Sequence, residues 1–216
     1  MQKVLISLIV IFLGSQMSWS QQDIYYGPKV GFNVSHLMIS GQDGALLKDE
    51  SGMKLSTHIG GFVELVFSDF ISLQPELLYN VKGATFKSSE DDDYKSAYVY
   101  KYLTLPVMFK YFVKERISIE GGPQFSYLLS AKNVEVNGIF SSNMGSEAAA
   151  VNLYDDMKHI DLGFALGGGY ITKSGFYFSA RYEFGLFDVS KPQDTEKELS
   201  LRNGSIMLSA GFSVNY

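Results

Sequence analysis

Apolar side chains recur at every second position in eight separate stretches of this 216-residue chain. That period belongs to an extended strand with two unlike faces and argues against an amphipathic helix over the same residues. In "RYEFGLFDVS" (181–190), Tyr182 and Phe184 share one face, Arg181, Glu183 and Gly185 share the other, and the pattern ends in a polar run from Asp188. The same alternation sets Val30, Phe32 and Val34 against Lys29, Gly31 and Asn33, and Ile59, Val63 and Leu65 against His58, Gly60 and Glu64. It sets Leu73, Leu77 and Tyr79 against Gln74, Glu76 and Asn80, and Leu103, Leu105 and Phe109 against Thr104, Met108 and Lys110. Further on, Ile117, Ile119 and Phe125 oppose Ser118, Glu120 and Gln124, Phe164 and Leu166 oppose Asp161 and Ala165, and Ile206 and Leu208 oppose Met207 and Ser209.

The connections alternate in length. Those near Asp69, Lys114 and Ser174 are short enough for antiparallel hairpins, whereas 40–57, 83–97, 129–160 and 187–203 are long and polar. All short turns, with both termini, therefore lie at one end of the sheet. An even number of antiparallel strands with short turns on one rim and long loops on the other is the plan of a transmembrane barrel. The expected fold is all-β, an eight-stranded antiparallel up-and-down transmembrane β-barrel. Pro28, Pro75, Pro106 and Pro123 fall within strand stretches, where a missing N–H predicts bulges or strand ends.

Alternation does not say which face is inside, but volume does. Eight strands enclose room for a single packed set of side chains. The apolar set is Leu, Ile, Val, Phe and Tyr, and the other is mostly Gly, Ser, Ala and Asn with a few charges. The smaller set belongs inside, so Tyr182 and Phe184 meet lipid. Lys29, Glu64, Glu76, Lys110, Glu120, Asp161, Arg181 and Glu183 then form a polar network in the lumen. Acids outnumber bases five to three in that set, so some carboxylates are expected to contact water or be protonated. Phe67, Phe109, Tyr170, Phe176 and Tyr216 on the turn side, and Tyr79, Tyr102, Tyr127 and Phe184 on the loop side, suit two aromatic girdles.

The first 20 residues carry Lys3, an apolar run from Val4 to Leu13 and small residues at Ser18 and Ser20, the layout of a signal peptide cleaved after Ser20. The run is too short for a membrane helix, which needs about 20 residues. Residues 21–216 form the barrel domain. Losing Lys3 leaves 17 basic and 23 acidic residues, a net charge of −6 with no basic block for nucleic acid. The chain has no cysteine, which excludes disulfides and thiolate metal sites.

"GPKVGFNVS" (27–35), "LQPELLY" (73–79), "YLTLPVMFKY" (102–111), "GGPQFSYLL" (121–129), "DLGFALGGGY" (161–170), "ARYEFGL" (180–186) and the terminal aromatic Tyr216 together resemble the PorT-type outer-membrane β-barrel family of Bacteroidota. The resemblance covers essentially all of the mature chain. It implies an outer-membrane location, periplasmic turns and termini, extracellular loops, and a last strand ending at Tyr216 that the barrel-assembly machinery reads. Tyr216 stands where many such proteins end in Phe.

Catalytic chemistry has thin support. His36, His58 and His159 lie toward the loop rim, with Asp155, Asp156 and Asp161 near His159 in sequence, but a nucleophile, base and acid must be judged in space. The acidic run 88–96 lacks the spaced glycine and closing glutamate of a calcium loop and reads as a solvated surface. The glycines at 163–169 lie within a strand rather than opening a helix, which removes the dinucleotide reading. No cofactor and no metal is expected. The expectation is a non-enzymatic, monomeric barrel in contact with outer-membrane lipid, with loops open to surface or secretion partners. The alternatives are a narrow pore or transporter for small solutes, a barrel associated with type IX secretion, and a soluble periplasmic ligand-binding barrel.

Overall fold

A computed structural model describes residues 23–40, 51–87, 95–136, 150–189 and 200–214. Eight long strands follow one another: β1 Ile24–Ser40, β2 Lys54–Ser68, β3 Ile71–Lys87, β4 Lys95–Lys114, β5 Ile117–Val136, β6 Ile160–Ile171, β7 Phe176–Gly185 and β8 Ser200–Phe212. Each pairs antiparallel with its neighbours in sequence, and β1 pairs with β8 from Lys29↔Gly211 to Ser40↔Ser200, so the sheet closes on itself. Closure leaves no edge and satisfies the backbone without water.

The short connections are tight. In the turn after β6, Thr172 Oγ1 accepts the Phe176 N–H at 2.9 Å, and Gly175 takes φ +85°, which a side chain resists. Ser213 N–H bonds the Gly175 carbonyl at 2.8 Å, tying the end of the chain to the same rim.

The wall does face as its volumes predict. Val30, Phe32, Ile59, Phe109, Ile119, Leu166 and Leu208 point outward and are more than half exposed, while the eight lumen residues are buried. Tyr102 is different: it is fully enclosed inside the barrel and takes no part in the outer girdle.

Strand lengths depart from the sequence reading. Residues 83–87, 95–97 and 129–136, expected as loop, continue β3, β4 and β5, and 54–57 and 200–203 belong to β2 and β8. About 9–11 tilted residues cross a bilayer; β7, with 10, matches that and β6, with 12, barely exceeds it. The 20 residues of β4 and of β5 must project beyond it. Toward the loop end both faces bury apolar side chains, Ala84, Tyr100 and Ala131 in one cluster and Ala97, Val99 and Val134 in another, so the contrast that marks a strand fades. At Lys101/Tyr102 the β4–β5 register shifts, since Lys101 pairs with Ser130 and Tyr102 with Leu128.

The prolines do not sit at those bulges. Around Pro75, Pro106 and Pro123 the ladders β2–β3, β3–β4 and β4–β5 each lapse for two rungs and resume in the same register. Pro28 lies just past the last β1–β8 pair. Gly122, beside one lapse, lets the Val107 carbonyl lean inward, and a Cβ there would meet that oxygen. Gly122→Ala is expected to cost about 1–3 kcal/mol by overpacking, read as a lowered urea midpoint in vesicles.

Candidate functional site: the lumen

Alternation delivers one inward side chain every second residue, and the inward set meets across the axis. Glu76 of β3 is the hub: both carboxylate oxygens accept from Lys29 Nζ at 3.0 and 2.9 Å, and Oε1 also accepts from Arg181 Nη2 at 2.7 Å and Gln74 Nε2 at 2.6 Å. Arg181 Nε donates to Glu120 Oε1 at 2.7 Å, and the Tyr177 hydroxyl donates to Glu120 Oε2 at 2.8 Å. Lys110 Nζ donates to Glu64 Oε2 and Gln74 Oε1, both at 2.9 Å, which joins a second carboxylate pocket to the first. Three cations thus meet three carboxylates, and the dry lumen holds no uncompensated charge here.

In a closed ring of eight, β3 and β7 lie four strands apart in either direction, so they face each other across the diameter. Two ion pairs span that diameter: Arg181 to Glu76 and Lys82 Nζ to Glu183 Oε2, each at 2.7 Å. Charged side chains from opposite walls can touch only where the lumen is filled.

A neutral chain also crosses the interior. Asn33 Nδ2 donates to Asn80 Oδ1 at 2.6 Å and to the Val81 carbonyl at 3.0 Å, which turns its Oδ1 toward His58 Nδ1 at 2.7 Å. His58 Nδ1 must then carry the proton, leaving Nε2 to accept the Ser209 hydroxyl at 2.9 Å. Hydroxyl, imidazole and amide are spaced as nucleophile, base and orienter, with Ser209 7% exposed inside the lumen.

All eight residues expected in the network are inside. Lys29, Glu76, Glu120 and Arg181 form one cluster, Glu64 and Lys110 adjoin it, and Glu183 pairs with Lys82. Asp161 stands apart from the cluster, accepting Asn203 Nδ2 at 2.8 Å. Two buried lysines, Lys54 and Lys82, were missed, and they bring the five-to-three excess of acid to five against five. Their inward parity follows from His58 and Asn80, but Lys54 falls in the 40–57 stretch expected as loop, and Lys82 is the last residue before the expected loop 83–97.

Toward the loop end the filling turns apolar. Leu37, Ala84, Tyr100, Tyr102, Leu128 and Ala131 pack together, covered by Met157 and Val189 from the connections after β5 and β7. The three histidines are not brought together. His36 faces outward beside Tyr182 (ring centroids 6.3 Å apart), and His159 stacks on Tyr154 at 4.3 Å. Asp155 and Asp156 lie in an exposed turn, Tyr154–Asp156. Among the described residues no group of three or more potential ligands converges as a metal site. Residues 1–20, most of the acidic run 88–96, and Tyr216 lie outside the described residues.

A family described as "Outer membrane protein beta-barrel domain" matches residues 19–191. Among solved structures, the chain is similar to Ail, the attachment invasion locus protein of Yersinia pestis, at 15% identity over 89% of this chain and 99% of that one, with a TM-score of 0.47. Neisserial surface protein A aligns at 12% identity over 89% and 99%, TM-score 0.46. OprG from Pseudomonas aeruginosa aligns at 12% over 90% and 98%, TM-score 0.44. No curated protein matches the sequence.

Proposed function

Because the chain belongs to the outer membrane protein beta-barrel domain family, and so to the outer membrane, we propose that it is a closed, non-conducting and non-enzymatic barrel whose work is done at its loop end. The observation that carries this reading is the pair of diametral ion bridges, Arg181 to Glu76 and Lys82 to Glu183. A water-filled channel needs a clear axis, and wide channels belong to barrels of about sixteen strands. The non-enzymatic reading is supported by the scattered histidines and by the enclosure of Ser209.

Residues 1–20 act as a removed signal peptide in this proposal, the short turns and termini face the periplasm, and the overlong β3–β5 stand outside the cell. The pieces quoted above favour the PorT-type subgroup of Bacteroidota. The barrel is a monomer in outer-membrane lipid, inserted by the barrel-assembly machinery through a last strand ending at Tyr216.

A narrow solute path is the second reading. Among the described residues, Gln124 Oε1, Asp161 Oδ1 and Ser205 Oγ are buried without a hydrogen-bond partner, which suits water threading between side chains. Planar-bilayer recording of the purified protein separates the two. The closed reading expects no stable openings, and a steady nanosiemens current altered by Arg181→Ala would replace it with the pore.

A further inference from the structure

The geometry points to a binding site for a small amphipathic cation in the barrel mouth, with its apolar body displacing Met157 and Val189 and its ammonium donating to Asp161. The mouth is unlike the rest of the lumen. Tyr100, Tyr102 and Leu128 are at most 1% exposed and turn inward where the strands approach the loops, in a wall that elsewhere directs amides and charges to the axis. Large apolar side chains facing the axis at an open end need a cover.

The cover comes from irregular chain, not from strands. Met157 is 6% exposed and Val189 1%. Val189 N–H bonds the Leu201 carbonyl at 2.9 Å, Lys158 N–H bonds the Val189 carbonyl at 2.9 Å, and Leu153 N–H bonds the Ala131 carbonyl at 2.9 Å. Leu128 N–H also bonds the His159 carbonyl at 2.8 Å, Leu201 N–H bonds Asp188 Oδ1 at 3.1 Å, and Val151 and Asn152 pair with β5 over two rungs. These scattered bonds make no continuous ladder, so opening the cover costs less than opening a barrel strand. Together the two side chains are about the size of one benzyl group.

Directly beneath lies an acceptor without a donor. Asn203, paired with Leu37 across β1 and β8, donates to Asp161 Oδ2 at 2.8 Å and reaches the Tyr102 hydroxyl at 3.4 Å. Among the described residues, Asp161 Oδ1 has no hydrogen-bond partner although Asp161 is 4% exposed, and Glu183 Oε1 is likewise unmatched. Lys82 is held by Glu183, which leaves Asp161 as the carboxylate awaiting a cation. An unpaired carboxylate oxygen in a dry site is costly, and an ammonium is a matching donor. The Tyr102 ring, already 5.9 Å from Lys82 Nζ, offers its face to a second cation. Apolar walls with one convergent charge are the make-up of a small-molecule site.

The test is titration calorimetry of the full-length mature protein in phospholipid nanodiscs, with empty nanodiscs subtracted, using three probes of like shape. 2-Phenylethylammonium carries the charge, 2-phenylethanol lacks it, and 3-phenylpropanoate reverses it. The proposal expects saturable one-to-one binding of the ammonium, at least tenfold tighter than the alcohol, with the anion weakest. Asp161→Asn should bring the ammonium down to the alcohol's affinity, and Met157→Ala should tighten both. No saturable binding, equal affinity for ammonium and alcohol, or a preference for the anion would overturn it, and each is read on the unaltered protein whether or not the variants fold. The mouth lies on the loop side of both diametral bridges, so a conducting barrel would sink the closed-lumen reading and leave this one standing.

Discussion

Glu76→Ala is expected to destabilise the barrel by about 3–5 kcal/mol, the cost of breaking a buried ion pair from one side. Among the described residues its carboxylate is the only hydrogen-bond acceptor of Lys29 Nζ, and it is one of two carboxylates on Arg181. Removing it strands two cations with Glu120 alone, in a lumen where Lys29 is 1% exposed and Arg181 3%. Water cannot enter to solvate them without unpacking Tyr177 and His58. Glu115→Ala, in the exposed turn after β4, is the control and should stay within about 0.5 kcal/mol. Replacing all four members together, Lys29→Met, Glu76→Leu, Glu120→Leu and Arg181→Met, should recover much of the loss, because the desolvation cost disappears with the charges. Urea unfolding in phospholipid vesicles, followed by the heat-dependent gel shift of a closed barrel, reads all three. A loss at Glu76 no larger than at Glu115 would mean that the interior is wet.

The alternation that gave the eight strands is local, and it is legible because the two faces of a membrane strand meet unlike surroundings. Arg181 and Tyr182, adjacent in sequence, could be sorted inside and outside from side-chain size alone, and the structure sorts them so. Where both faces meet the same medium the signal goes. The expected loop begins at residue 83, so Lys82 reads as the strand's last residue, whereas β3 runs on to Lys87 and turns Lys82 inward to Glu183. Tyr102 was misplaced for the opposite reason. An aromatic near a strand end reads as an interfacial anchor, yet its parity with Thr104 and Met108 is inward, and it lines an apolar mouth that reverses the polar-inside rule. The partners of each charge were beyond reach. Arg181 and Glu76 are 105 positions apart, and only the closure of the ring sets them face to face. The prolines mislead because a missing N–H predicts a bulge or a strand end, whereas around Pro75, Pro106 and Pro123 the ladders absorb it by skipping two rungs.

Leu166→Arg is expected to cost about 2–4 kcal/mol in a bilayer, against roughly 0–1 for Ile160→Arg, although both side chains are more than half exposed in the bare protein. Leu166 stands near the middle of β6, Ile160–Ile171, which is scarcely longer than a bilayer crossing. Its neighbours across the ladders are Gly121 and Tyr182, and a Cβ at Gly121 would already lie 3.2 Å from Leu166 Cδ1, so the residue rests on the outer wall with nothing but solvent beyond it. If that solvent is hydrocarbon, a guanidinium there must be dragged toward a headgroup, whereas at Ile160 it already sits at the loop rim. Length separates this from a packing effect: Leu166→Ala removes the same contacts with no charge and should cost less than half as much. The comparison also discriminates between a membrane wall and a soluble barrel, because in water an outward arginine is harmless at either height. Equal costs at positions 160 and 166 in vesicles would therefore remove the lipid from this face, and with it the reason for burying five lysine and arginine side chains, Lys29, Lys54, Lys82, Lys110 and Arg181, on the other.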